Sequence, residues 1–385
     1  MKNVVPFSRK WFGVLMILVL LGASLGGCSS EKVIKIGFAT EQTGVESYIG
    51  QAAVPALQDH IDKINAEGGI GGYKLQLVVY DTRSEVTDAV AVAKRLIDQD
   101  KVVGVIGPSW SAAAIPMAEI ADAGKVPVIG TTASNVNVTV DEAGNLHPYM
   151  FRVCFIDPYQ GFALAEFAYK ELGKRNVAFL TDRASPYSVG IEKFFTEQFT
   201  KLGGAVVASE GYQTGDTEFR AQLAKIKDSS ADLLMMPAYT YRDPGLAAQQ
   251  GKALGLEMTM MGADGWFVDD LLPMAGKELE GAFLTTGVST ESPEFAAYNK
   301  EFEAKHKVKP NIYQYYSLDA LMAIEWALRQ VVAKGQEPTG TAVRDALETM
   351  TDVQLFTSKV TMEPDTHNPH NKPILIMTIK DSAWS

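Results

Sequence analysis

The sequence predicts an α/β protein of two lobes, each built on a parallel sheet. Three observations support this. Short, continuously apolar strands alternate with helix-length amphipathic segments. The alternation restarts after Arg152 as a second block. The length, 385 residues, suits about two domains at roughly 100–200 residues each. Apolar strands separated by helices mark parallel sheets covered on both faces.

The first block opens with a strand at 33–39 (VIKIGFA). Helix 49–66 follows, with Ala53, Leu57, Ile61 and Ile64 at helical spacing, and the glycines between Gly68 and Gly72 stop it. Strand 75–80 leads to helix 86–97, which carries Ala89, Val92, Ala93, Leu96 and Ile97 on one side. Strand 102–106, helix 113–123 and strand 126–129 complete the block. In the second block, helices 161–172, 190–202, 219–227 and 244–254 alternate with strands 177–180, 205–208, 233–236 and 258–261. Residues 281–286 form one more strand, and helices are expected at 293–305, 313–334 and 339–350. The chain closes on a loop and a strand at 373–379. No short-period repeat points to a solenoid. No Pro- or Ser-rich linker separates the blocks, so strands or short hinges must join them.

Composition narrows the function classes. At 46 % hydrophobic and 21 % charged, the chain resembles an average globular protein. Its cores need no disulfide or metal staples. A net charge of −11 argues against nucleic acid as a partner, because phosphate binding needs clustered Lys and Arg. No phosphate-binding loop or nucleophile elbow occurs, and the glycines at 68–72 end a helix instead of opening one after a strand. No Cys/His spacing suits zinc. His367-Asn368-Pro369-His370 reads as a solvated turn, with metal binding as the alternative. No carboxylates are marked as a catalytic pair. An enzyme has no positive support, and no cofactor or metal is expected.

The charge is unevenly placed. Residues 1–27 hold Lys2, Arg9 and Lys10 and no acid, so taking their +3 from −11 leaves −14 on the remaining 358 residues. The apolar run Trp11–Leu21 is followed by small residues and then Leu25-Gly26-Gly27-Cys28. Basic, apolar and small residues in that order make a secretory signal. The run is short for a membrane span of roughly 20 residues. The tetrapeptide resembles the bacterial lipobox, which implies cleavage before Cys28 and a lipid on its thiol. An ordinary signal peptide or an uncleaved anchor is the alternative. On the lipobox reading, residues 1–27 are a lipoprotein signal, 28–32 a tether, and the mature protein is extracytoplasmic and membrane-anchored. Cys154 lies in the apolar run 150–155 and reads as a buried, inert thiol.

Several segments resemble the branched-chain amino-acid-binding (leucine/isoleucine/valine-binding-like) family of ABC-transporter solute-binding proteins. Ile34–Phe38 with Thr43-Gly44 is similar to that family's first strand and loop. Ile64–Gly72 (INAEGGIGG) is close to its I-N-A-x-G-G-I-x-G stretch, the most specific signal. Tyr80-Asp81, then Val102–Pro108 with Ser111, resemble its next strand ends. Phe151-Arg152, Asp157 and Gln160-Gly161 resemble its crossing into the second lobe, and Gly215–Phe219 its G-D-x-D-F segment with Glu218 for Asp. The resemblance runs from about Val33 to Met350. It implies a type I periplasmic-binding-protein fold: two Rossmann-like lobes around a ligand cleft, joined by three crossovers. The expected division is 33–152 plus 285–345 for lobe 1 and 153–284 plus 346–385 for lobe 2.

The resemblance also implies a site at the carboxyl ends of the strands, as in other open α/β sheets. Ser111 opens a helix, where hydroxyls and free N–H groups suit a carboxylate, or it only caps that helix. Thr132, Ala133 and Ser134 lie in the loop after the fourth strand and offer hydroxyl and backbone groups. Asp264 matches the acidic residue that pairs the ligand's ammonium. Tyr187 and Tyr239 match tyrosines that cover the ligand from lobe 2. Tyr48, Trp110 and Trp266 are candidates for the side-chain pocket and would suit an apolar or aromatic side chain. The implied protein is a monomeric, lipid-anchored receptor that captures an amino acid and passes it to an ABC permease. The alternatives are the same scaffold binding an amide, urea or aromatic acid, or serving as a sensor for a membrane signalling partner.

Overall fold

The computed structural model describes residues 1–2, 32–370 and 372–385. Cys28 and the basic–apolar segment beyond Lys2 lie outside the described residues. The first sheet contains β1 (Lys32–Thr40), β2 (Tyr73–Asp81), β3 (Val105–Ile106), β4 (Val128–Gly130) and β5 (Met150–Arg152). All are parallel, in the order β2-β1-β3-β4-β5. The crossovers carry α1 (Ser47–Ala66), α2 (Val86–Arg95) and α3 (Ser111–Gly124).

Period-two alternation along the strands divides the core. On β1, Ile34, Ile36 and Phe38 join a cluster with Leu57 and Ile61 of α1, while Ala39 faces Ala89 of α2 and Met117 of α3. From Ile36 to Thr40 every residue of β1 is buried, so both faces of that stretch are covered. Burying a side chain such as Phe38 contributes about 1.5–3 kcal/mol. The glycines after α1 turn the chain into β2. Gly69 has φ +80, and a Cβ there would come 2.0 Å from the Tyr73 carbonyl oxygen.

The second block runs α4 (Asp157–Glu166), β6 (Asn176–Asp182), α5 (Pro186–Lys201), β7 (Ala205–Tyr212), α6 (Arg220–Lys227), β8 (Leu233–Met235), α7 (Arg242–Ala253), β9 (Thr259–Met261), α8 (Leu271–Ala275) and β10 (Phe283–Thr286). After β10 come α9 (Ala296–His306), α10 (Ile312–Ala333) and α11 (Gly340–Leu347). A small antiparallel sheet follows, of β11 (Val353–Gln354), β12 (Lys359–Met362) and β13 (Pro369–His370). The chain ends with β14 (Leu375–Lys380) and β15 (Ala383–Trp384). The second sheet has the order β15-β14-β10-β9-β8-β6-β7, in which only β14 runs against the others.

Two expected helices end differently. Helix 86–97 stops at Arg95 and widens into a π turn over Leu96–Asp100, and helix 161–172 begins at Asp157 and widens over Phe167–Glu171. The early start is possible because Pro158 sits in the first turn, where no backbone N–H is required.

The chain passes between the sheets three times: after β5, after β10, and between β13 and β14. The third passage lies later than the expected boundary at 346. The Arg152 N–H donates to the His367 carbonyl at 3.3 Å, and the His367 ring stacks on Phe151 at 3.8 Å, so this segment is held on the first sheet. Only β14 and β15 reach the second. His367 is accordingly fully buried, with its Nδ1 3.0 Å from the Met150 carbonyl oxygen, and is not part of a solvated turn. Burial lowers its pKa. His370 is exposed, 2.9 Å from a Glu363 oxygen.

Lys372 secures the third passage. Its ammonium donates to Asp319 (3.1 Å), Thr357 and Ser358 (each 3.0 Å) and lies over the Tyr316 ring. Both charged side chains are almost wholly buried. Removing one partner of such a pair leaves a charge uncompensated. Lys372→Met is expected to cost about 3–5 kcal/mol in urea denaturation, and a change below about 1 kcal/mol, the level of an exposed pair, would show that this pair holds nothing.

Candidate ligand-binding site

The carboxyl ends of the two sets of parallel strands face each other across a seam. A cavity of about 600 Å³ lies there, walled by Glu46, Trp110 and Ser111 from the first-sheet side and by Tyr187, Tyr239 and Asp243 from the second. The two sides already touch. Ser109 Oγ and Tyr239 Oη are 2.9 Å apart, Trp110 stacks on Tyr239 with centroids 6.2 Å apart, and Asn135 Nδ2 donates to the Pro186 carbonyl at 2.8 Å.

Each residue singled out in the sequence has a definite place. Ser111 is buried as the first residue of α3, behind Trp110 as N-cap. Its hydroxyl does not cap the helix but accepts the Asn135 N–H at 3.1 Å. Thr132 donates to the Ser109 carbonyl at 2.6 Å, and Ser134 to Asp157 Oδ1 at 2.7 Å. The Ala133 carbonyl accepts from the Arg152 guanidinium at 2.9 Å. None of these three loop residues, and not Asp264 either, lines the cavity. Tyr187 stands at the wall and donates to Asp264 Oδ1 at 2.5 Å. Ser185 caps α5 through the Ser188 N–H, with Pro186 in the first turn, and this fixes where Tyr187 starts.

Two aromatic candidates lie elsewhere. Trp266 is fully buried in the second lobe and donates its indole N–H to the Met236 carbonyl at 3.0 Å, so it is core and not pocket. A Cβ on Gly262 would strike its ring, so the packing there needs glycine. Tyr48 packs edge-on against Tyr241 and Tyr313, both at 5.6 Å, beside a separate hollow of about 270 Å³.

Residues the sequence did not assign to the ligand complete the site. Glu41 accepts from the Ser109 hydroxyl at 2.8 Å. Gln160 Oε1 accepts the Asp264 N–H (2.8 Å) and the Thr285 hydroxyl (2.5 Å), which sets the turn that carries Asp264. Asp157 accepts from both Ser134 and Asn135. A carboxylate or amide within a few residues of a strand end is the only local sign of such roles, and many solvated loops share it.

Desolvation dominates the electrostatics. Burial pushes Asp264 up to about 6, against the opposing bond from Tyr187. It pushes Glu41, Glu46, Asp157 and Asp243 each up to about 7. Burial also pushes the Cys154 thiol up to about 12, in keeping with an inert core cysteine. No cluster of three or more His, Cys, Asp or Glu able to hold a metal occurs among the described residues.

Residues 33–383 match the family described as periplasmic binding protein. The chain belongs to that family. It is 31 % identical over 324 residues to an amino acid binding protein of Pseudomonas aeruginosa, covering 82 % of this chain and 84 % of that one. It is similar to the branched-chain amino acid transporter substrate binding protein LivJ of Streptococcus pneumoniae, solved with isoleucine: TM-score 0.82, 29 % identity, 92 % and 98 % coverage. The leucine binding protein LivK of Thermotoga maritima gives TM-score 0.80, 28 % identity, 91 % and 97 % coverage. The type I periplasmic-binding-protein fold expected from the sequence is thus found. This periplasmic binding protein is a solute-binding protein of the branched-chain amino acid ABC transporter type, and not an enzyme.

The raised carboxyls give the ligand-free protein a pH signature. Their folded pKa values, about 6–7, exceed the ordinary 3.8–4.5. Between about pH 4 and 7 the folded protein therefore holds protons that the unfolded chain has lost, so stability falls as pH rises. The melting temperature is expected to drop from pH 5 to pH 8. A flat or rising profile would show that these groups are solvated.

Proposed function

We propose that this protein is an extracytoplasmic receptor that captures a free α-amino acid between its two lobes and presents it to an ABC permease. The observation that carries this is Asp264, a buried carboxylate behind Tyr187 of the cavity wall, whose charge needs a cation. An α-ammonium supplies one. At the opposite side, the first turn of α3 brings Ser111 and Ala112 to the cavity wall, where helix N–H groups suit an α-carboxylate. Relatives whose names specify amino acids, and a solved relative holding isoleucine, support the same class.

The lobes are read as 33–152 plus the segment from β10's end to β13, against 153–286 plus 375–385. The three passages serve as the hinge. Contacts from both sides, such as Ser109 to Tyr239, favour the closed form. Cys28 carries the lipid that holds the receptor at the membrane, and the mature protein acts as a monomer. If so, Cys28→Ser moves the protein from the membrane fraction to the soluble one, and incorporation of labelled palmitate is lost. Retention with label intact would rule the anchor out.

Titration calorimetry across the amino acids tests the binding. One-to-one binding without turnover is expected. Asp264→Ala is expected to weaken it by roughly 100-fold or more, as for a broken buried ion pair, and deaminated analogues are expected to lose a similar factor. Equal binding of an amino acid and its deaminated analogue would overturn the reading in favour of another solute.

A further inference from the structure

The loop after β1 places two more carboxylates in the seam, from the first sheet, whereas Asp264 comes from the second. Glu41 is 1 % exposed and Glu46 3 %. Oε2 of each has no hydrogen-bond partner among the described residues. Glu46 forms part of the cavity wall. Glu85, Asp182, Asp216 and Asp243 share that wall, against the single base Arg242, which is exposed. The indole of Trp110 and the ring of Tyr239, stacked on one another, complete it.

A buried carboxylate oxygen without a donor is costly, and removing its desolvation cost takes a cation or a strong donor. Asp264 answers the α-ammonium of an amino acid. It does not answer Glu46 and Glu41, which come from the other sheet. A carboxylate beside aromatic faces is the chemistry that recognises an ammonium or guanidinium group. This departs from the apolar or aromatic side chain expected from the sequence.

We infer that the ligand is an amino acid with a basic side chain, whose terminal cation lies against Glu46 with Glu41 adding charge behind it. This rests on the amino-acid reading above. Calorimetry on the unaltered mature protein tests it by comparing lysine, arginine and ornithine with norleucine, glutamine, leucine and valine. Lysine is expected to bind roughly 10- to 100-fold tighter than norleucine, which has an equal chain without the charge. Glu46→Gln is expected to remove most of that advantage, with a melting curve to verify folding. Ranking within the unaltered protein decides the matter even where the variant fails to fold. Norleucine, leucine or glutamine binding as tightly as lysine would overturn the basic side chain and leave the amino-acid reading intact. Silence toward every amino acid would overturn both.

Discussion

Keeping carboxylates out of water between two sheets is the constraint around which the rest of this protein is arranged. Asp264, Asp157, Glu41 and Glu46 are all buried at the seam. Hydroxyl groups hold three of them: Tyr187 on Asp264, Ser134 on Asp157 and Ser109 on Glu41. Hydroxyls donate without bringing a positive charge, so the negative potential survives. Had Lys or Arg been used, the seam would be neutral and a cationic ligand group would gain little. The cost appears as pKa values raised by burial, and a bound cation offsets it.

The fold makes that arrangement possible. Parallel strands end together at one edge, and each end feeds a loop into the seam. Two sheets set edge to edge bring two such sets of loops together. The supports are then ordinary: apolar strands dry on both faces, capped helices, and glycines where backbones crowd. Gly265 is one case, since a Cβ there would press on the Tyr239 carbonyl oxygen at 2.4 Å and displace the turn that holds Asp264. Arg152, wholly buried at the end of β5, anchors one passage through the Ala133 carbonyl and the Thr139 hydroxyl. Lys372 anchors another through Asp319.

Most strands and helices of the fold were legible in the sequence because their signals are local. The spacing of Ala53, Leu57, Ile61 and Ile64 describes one buried helix face, and all four are buried. The alternation on β6 sends Ala178 and Leu180 to one core and Val177 and Phe179 to the other, as period two requires. The π turns after Arg95 and Glu166 carry no such mark. Nor does the small sheet over 353–370, whose three strands are of two to four residues. His367 reads as a turn residue because its pairing partner, β5, is more than two hundred positions away.

The site divides in the same way. The sequence by itself determined the fold class and the strand ends where a ligand is expected, because strand–loop–helix order is local; its family resemblance pointed to Ser111, Tyr187, Tyr239 and Asp264 there. Only the tertiary structure decided what each does. Trp266 turned out to be core, Ala133 a support for Arg152, Thr132 a donor to the Ser109 carbonyl and Ser134 a donor to Asp157. Glu41 and Glu46 entered the site although nothing local distinguishes them from solvated loop acids. The reason is physical: burial and pairing belong to the meeting of two sheets, and no window of adjacent residues contains both sides of it.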